Sequence, residues 1–431
     1  MANGKDALMP TLQWMGREED LEAAARAEYR LLLEEERFSY GDPGTGNLIV
    51  QGDNLEALEA LLPFYAGKVK CIYIDPPYNT SGEFKRYDDN KEHTRWLSMM
   101  YLRLETLKQF LREDGALFIQ LDDNEQAYIK VICDEIFGRN NFVAHILWHK
   151  KRGKDNASRY FSIMHDHIIC YAKRAQSLYI NRIVLDENTR SVYKNPDNDK
   201  RGVYRLQGLC TRKQCCFEFE YTMHDGKKFS RRLWLLSHDT MKRLEAENRL
   251  VVKGDILYRK LFLKESARSI PETMWIGLSN NADARDELKA LFGNDTLCDT
   301  PKPEYLLKRI IEVSTAPGDY VLDSFLGSGT TAAVAHKMGR RYIGVEIGEQ
   351  AKTLCAARLK RVIDGEQGGI SQAVGWTGGG GFRFFTLGGD VVDNKQRLKR
   401  DIAFEHRAAP LYAAETKTPL NRRVCREHDA Q

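Results

Sequence analysis

The run Asp319–Gly348, DYVLDSFLGSGTTAAVAHKMGRRYIGVEIG, leaves few folds open. It reads as a strand ending at Asp323, a turn carrying Gly327 and Gly329, a helix opening at Thr330, and a second strand ending at Glu346. Strands joined through a helix lie parallel in one sheet and need cover on both faces. The rhythm recurs earlier. NLIVQGDNLEALEALL reads strand, tight turn at Gly52-Asp53, helix; VKCIYIDPPYNT opens as a strand; RWLSMMYLRLETLKQFLRED is strongly helical in period; ALFIQLDD is another strand. The expected fold class is therefore α/β, with a mostly parallel, doubly wound sheet.

From about 149 to 298 the rhythm breaks into polar, aromatic and basic residues among short strand-like pieces, so this segment reads as an insertion. The halves 45–148 and 299–389 are each small for an open sheet, but joined they make one domain of ordinary size. At 431 residues, one large domain plus an insertion is a comfortable fit. Residues 17–37 carry Leu21, Ala25, Tyr29 and Leu32 at helical spacing, which predicts an amphipathic helix within an N-terminal extension, 1–44. WTGGGGFRFFTL predicts a turn and a last strand, and the charged residues 390–431 read as a surface-wrapping tail.

No stretch of 18 apolar residues is present, and the start has no apolar h-region, so the expected location is the cytoplasm. Nine cysteines form no C-x-x-C pair, and Cys210, Cys215 and Cys216 lack zinc spacing; reduced thiols and no metal are expected. Net charge is only +4, yet Lys150–Lys213 holds 15 Lys and Arg against 6 Asp and Glu. A local surplus of that size suits a polyanion-binding face.

Glycines at 327 and 329 let a ligand approach the backbone, and the helix N-terminus favours an anionic group. Glu346 ends the next strand, where an acid can take both hydroxyls of a ribose. A nucleoside-type cofactor follows, and the string also satisfies G-x-G-x-x-A, so a dinucleotide remains open from these residues. Asp323 before the glycines favours a cofactor with a positive amino group, such as S-adenosylmethionine (SAM).

The strand at CIYIDPPYNT ends in an acid, two prolines and a ring. An exocyclic amine on a nucleobase is a poor nucleophile because its lone pair is delocalised. Asp75 and the Pro76 carbonyl could accept both N–H bonds and favour a tetrahedral nitrogen. Pro77 fixes the loop, and Tyr78 offers a ring for an extruded base.

QGDNLEAL, DPPYNT, DGALFIQLDD, HDHIICYAK, NPDNDKRG, TPKPEYLLKRII, DSFLGSGTT and IDGEQGGIS, in this order over about 45–388, carry a resemblance. The chain resembles β-class, SAM-dependent DNA adenine-N6 methyltransferases, and among them the modification subunits of type III restriction systems and their solitary relatives. The resemblance implies a Rossmann-like methyltransferase fold, circularly permuted so that the D-P-P-Y half precedes the SAM loop, with 149–298 as target-recognition domain. It implies Asp53 at the adenine of SAM, Glu346 at its ribose, and Asp323, Phe325, Gly327, Gly329 and Thr330 at its methionine end, with Thr300 and Lys302 closing over the carboxylate and Asn54 among the cofactor-binding residues. His167 and Tyr171 would line the target-base pocket, and Arg201, Arg205, Arg212 and Lys213 would contact double-stranded DNA. A homodimer is implied as well. The chain is shorter than expected of a restriction-system subunit and carries no helicase or nuclease motif, which favours a solitary enzyme over one with a restriction partner. Cytosine N4 as target, a DNA-binding protein without catalysis, and an NAD-type oxidoreductase are the competing readings.

Overall fold

A computed structural model describes residues 11–24, 30–79, 92–156, 158–185, 187–210, 217–293 and 298–390. The chain forms two compact units, one made of residues 1–181 with 272–431 and the other of residues 182–271.

Among the described residues, the first unit is built on an eleven-stranded mixed sheet. In chain order its strands are β1 (Arg30–Glu34), β2 (Tyr40–Gly41), β3 (Leu48–Gln51), β4 (Val69–Ile74), β5 (Leu111–Leu121), β6 (Phe142–His149), β7 (His165–Ala172), β8 (Met274–Trp275), β9 (Tyr320–Asp323), β10 (Arg341–Glu346) and β11 (Gly381–Asp390). They lie in the order β1-β11-β3-β10-β9-β4-β5-β7-β6-β8, with β2 on β11. From β11 to β5 all neighbours are parallel, whereas β7 runs antiparallel to both β5 and β6. All six residues of β4 are buried, as expected of a central strand covered on both faces.

Among the described residues, the longer helices of this unit are α1 (Arg17–Ala24), α2 (Asn54–Tyr65), α3 (His93–Phe110), α4 (Gln126–Cys133), α5 (Asn281–Phe292), α6 (Glu304–Ser314), α7 (Thr330–Lys337) and α8 (Ala357–Ile363). The apolar faces of α2, α3 and α4 join β4, β5 and β10 in one core that includes Leu58, Leu61, Trp96, Leu104, Ile129 and Ile72. Burying that stripe is what holds these helices, at about 25 cal/mol per Å² of apolar surface. The helix expected over 17–37 needs correcting. Among the described residues it is α1 alone, and Arg30–Glu34 is a strand whose Leu32 pairs with Leu387 of β11. Three consecutive leucines satisfy a sheet edge as readily as a helix, and the open edge of β11 decides between them.

The segment read as an insertion, 149–298, is wider than the second unit. Residues 165–172 and 274–275 are strands of the main sheet, and α5 also belongs to the first unit. Within 182–271, strands Tyr204–Gly208, Leu250–Lys253 and Ile256–Phe262 form an antiparallel sheet, and Phe217–Thr222 pairs with Lys228–Trp234. A small core of Leu209, Tyr221, Phe229, Trp234, Met241 and Leu257 closes this unit. The expected C-terminal tail lies outside the described residues, apart from Asp390 at the end of β11. Among the described residues, no helix is long and apolar enough to cross a membrane.

Candidate functional site

Strands β4 and β9 are parallel neighbours, with Leu322 opposite Ile72, so Asp75 and Asp323 emerge at the same edge of the sheet. This edge carries the carboxyl ends of the strands, where α/β folds bind ligands.

Asp75 follows β4 directly and sits in a dense polar cluster. Lys302 Nζ donates to Asp75 Oδ2 at 2.5 Å, and the Tyr78 hydroxyl lies 2.8 Å from Asp75 Oδ1 and 3.2 Å from Asp166 Oδ2. The Lys302 ammonium also stands 5.3 Å from the centre of the Tyr78 ring. Asp166, 2% exposed, accepts from Lys150 Nζ at 2.6 Å and from Gln120 Nε2 at 3.0 Å, and Gln120 in turn accepts from the Tyr73 hydroxyl at 2.7 Å. Burial pushes the Asp75 carboxyl up, against the pull of Lys302 and the Tyr78 hydroxyl, and its level ends above the usual carboxylate range. Burial works the other way on Lys302, yet Asp75 and Asp166 keep it above the ordinary ammonium range. Burial and the two carboxylates push the Tyr78 phenol well up, so it remains a donor. Pro76 is buried, and the Pro77 carbonyl accepts from Trp96 Nε1 at 2.8 Å, pinning the turn to α3.

The glycine-rich turn is equally constrained. Gly327 and Gly329 have φ of 58° and 77°, and a Cβ on Gly329 would meet Cys355 Cα at 3.2 Å. Only glycine takes that backbone and that approach together. Gly327 N donates to Glu346 Oε2 at 2.7 Å, while Gln350 Nε2 donates to Glu346 Oε1 at 2.7 Å. Asp323 accepts from Phe325 N at 2.9 Å and from Thr331 Oγ1 at 2.6 Å. Burial, with Asp75 and Glu346 adding to the push, takes the Asp323 carboxyl to about 7. Burial also raises Glu346. Thr330 Oγ1 lies 2.9 Å from Ser328 Oγ and accepts from Arg358 at 2.7 Å. The neighbouring Ser324 Oγ is buried with no hydrogen-bond partner among the described residues. A cavity of about 350 Å³ opens beside Glu346, lined by Ile347, Gly348, Glu349, Gln350, Thr353 and Leu354.

Asp53 and Asn54 have structural work already. Asp53 caps α2, accepting from Leu55 N at 2.8 Å, and pairs with Arg103 at 2.9 Å. Asn54 donates to the Ser324 carbonyl at 2.8 Å, tying α2 to the glycine-rich turn. Thr300 is exposed, ahead of α6, whereas Lys302 reaches Asp75 directly. Phe325 is half-buried and packs on the main core.

The structure does not bring His167 and Tyr171 to this cluster. Successive residues of β7 face opposite sides of the sheet, and Asp166 is the one that meets Tyr78. His167 accordingly meets Asp123 and His145 on the other face, and Tyr171 packs between Phe137 and Phe142 with its hydroxyl donating to Asp134 at 2.7 Å. In the second unit Arg201 is committed to Asp199, at 2.7 Å, and to the Glu247 carbonyl, while Arg205 is exposed. Arg212 and Lys213 lie outside the described residues. Sequence reasoning missed Asp166, Lys150, Gln120 and Arg103. The period of two in HDHIICYA was a signal that either the two histidines or the aspartate would face the site.

Asp75, half-buried on a proline-fixed turn, and Asp323, buried at a glycine turn, stand at adjacent parallel strand ends of a mixed α/β sheet. The family described as DNA methylase, N6_N4_Mtase, matches residues 69–357, and the chain belongs to it. The probable type III restriction-modification enzyme HindVI Mod subunit of Haemophilus influenzae is 34% identical over 84% of this chain and 56% of its own length. The type III EcoPI Mod subunit of Escherichia phage P1 is 29% identical over 76% of the chain and 61% of its own length. The type II methyltransferase M.KpnI of Klebsiella pneumoniae is 27% identical over 68% and 76%. The chain thus spans little more than half the length of the first two. Among solved structures, the cytosine-N4-specific PvuII DNA methyltransferase aligns with a TM-score of 0.43 at 15% identity, over 76% of this chain and 90% of its own.

Proposed function

We propose that the protein is a site-specific DNA methyltransferase that moves a methyl group from SAM to the exocyclic N6 amine of an adenine swung out of double-stranded DNA. The observation that carries this reading is the Asp75, Tyr78 and Lys302 cluster set one strand from Asp323 and its glycine turn. When bound, the sulfonium cofactor supplies an electrophilic methyl group. The residues fit such a ligand. Asp323 offers a carboxylate to its amino group, Glu346 and the adjoining cavity suit its ribose and base, and Ser324 Oγ supplies an unmet polar contact.

Asp75 and the Pro76 carbonyl accept the two amine hydrogens, which turns the nitrogen lone pair out of the ring plane. Tyr78 stacks on the base. The amine hydrogen is released after transfer, so no strong base is needed. The Lys302 ammonium donates to Asp75 while standing over the Tyr78 ring, which supports reading the pocket as one that takes an N–H donor. Asp166, rather than His167, supports the pocket from β7.

The D-P-P-Y strand precedes the SAM-loop strand in the chain, in keeping with a circularly permuted methyltransferase. The unit 182–271 is the proposed target-recognition domain, with Arg205 among its phosphate contacts. A homodimer in the cytoplasm, with or without a restriction subunit, completes the proposal. Purified protein incubated with labelled SAM and plasmid DNA, followed by nucleoside mass spectrometry, should yield N6-methyladenine. N4-methylcytosine would replace the adenine assignment, and an unchanged rate in Asp75→Ala would overturn the mechanism.

A further inference from the structure

On the face of β7 turned away from Asp75, a cluster of ligating side chains takes no part in the methyl-transfer site. His165 and His167 stand two apart on the strand, so both rings leave it on the same side. Asp123 follows the antiparallel neighbour β5, whose Leu121 is opposite His167. One nitrogen or carboxylate oxygen from each of Asp123, His165 and His167 lies within 4.8 Å of the other two. His167 Nε2 is 2.7 Å from Asp123 Oδ1, and on its far side Nδ1 is 2.7 Å from His145 Nε2.

We propose that Asp123, His165 and His167 bind one divalent transition-metal ion of the zinc, cobalt or nickel kind, with water at the open position. Two imidazoles and a carboxylate are a donor set that such ions take. Metal–ligand bonds of about 2.0–2.2 Å put tetrahedral donors roughly 3.4 Å apart. The cluster brackets that spacing, and the adjustment falls on Asp123, whose side chain is 46% exposed and able to swing. His167 is 7% exposed and held in place. His145 is placed to supply the outer support that metal-bound imidazoles usually have: with the ion on His167 Nε2, the His167 Nδ1–H would donate to His145 Nε2, 2.7 Å away. Asp166 lies between the two ligating histidines and points through the sheet toward Tyr78. The ion therefore clamps β5 to β7 directly behind the residue that braces the pocket.

The full chain, stripped with a chelator, is titrated with cobalt(II) by calorimetry and visible spectroscopy, and then with zinc. One equivalent should bind with nitrogen and oxygen ligand-field bands, and zinc should displace it and raise the melting temperature. His165→Gln and Asp123→Asn, both at accessible positions, should each weaken binding at least 10-fold and abolish the thermal shift. His145→Gln should weaken it about 10- to 100-fold. No saturable binding, equal binding in His165→Gln and Asp123→Asn, or a thiolate-to-cobalt band placing the ion on cysteine would each overturn the assignment.

Discussion

Replacing Lys302 by methionine removes the cation that contacts Asp75 while keeping much of the length and apolar bulk of the side chain. Nζ and Oδ2 are 2.5 Å apart, and Lys302 is 9% exposed. At an effective dielectric of about 20, unit charges 4 Å apart interact by about 4 kcal/mol, close to three pKa units at about 1.36 kcal/mol each. Opposite charges at such distances typically shift a carboxylate by about 1–3 units. Asp75 already sits above the usual range because burial outweighs Lys302 and Tyr78, so losing Lys302 moves it further up. A protonated Asp75 gains a donor and loses the charge that makes it a strong acceptor, so its grip on the amine hydrogen weakens. The acid limb of kcat/KM, which reports the free enzyme, should therefore move to higher pH by about 1–3 units. At neutral pH the variant should lose about 10²-fold in rate, the scale of removing one hydrogen-bonding group aimed at the transition state, and recover activity as pH rises. Methyl incorporation into plasmid DNA measured from pH 5.5 to 9.5 reads the shift. An unmoved acid limb, or a loss that alkaline pH does not relieve, would refute the electrostatic role of Lys302.

Asp166→Asn should act with the opposite sign on the acid limb, because Asp166 raises Asp75, and should cost about 1–3 kcal/mol in denaturant unfolding by leaving Lys150 without its anion. SAM affinity by calorimetry should rise with pH across 7 and level off above it, by up to about tenfold per unit below that point, as the Asp323 carboxyl, near 7, ionises; a flat profile would remove Asp323 from the amino-group site. Burial and the nearby Glu304 push Glu287 up to about 7, so the fold holds its proton more tightly than the unfolded chain does, and stability falls as pH rises from about 4.5 to 7. Glu287→Gln should thus stabilise the protein at pH 8, by up to about 3 kcal/mol, and leave it unchanged at pH 4. Glu304→Gln should destabilise it by about 3–5 kcal/mol, since Arg358, at 2.9 Å, would lose its carboxylate in the core and Lys337, at 2.8 Å, would keep only the Glu366 carboxylate.

Much of this protein was legible in its residues. Glycines at 327 and 329, the acids ending β4, β9 and β10, and the prolines after Asp75 are local features, because backbone conformation and strand ends are set by neighbours in the chain. The family resemblance rests on the same short motifs, and the match over 69–357 bears it out. Three leucines at 31–33 did not say whether they would lie in a helix or a strand until the edge of β11 was there to pair with. Residues 165–172 could not reveal that they belong to the main sheet, since their β5 partners, Ala116 to Leu121, lie about 50 residues earlier in the chain and pair with them only in the folded sheet. Above all, nothing local chose which parity of β7 faces Asp75. Pairing with β5 made that choice, turning Asp166 to the pocket and His167 away, because a strand's two faces become distinct only when the sheet on either side of it exists.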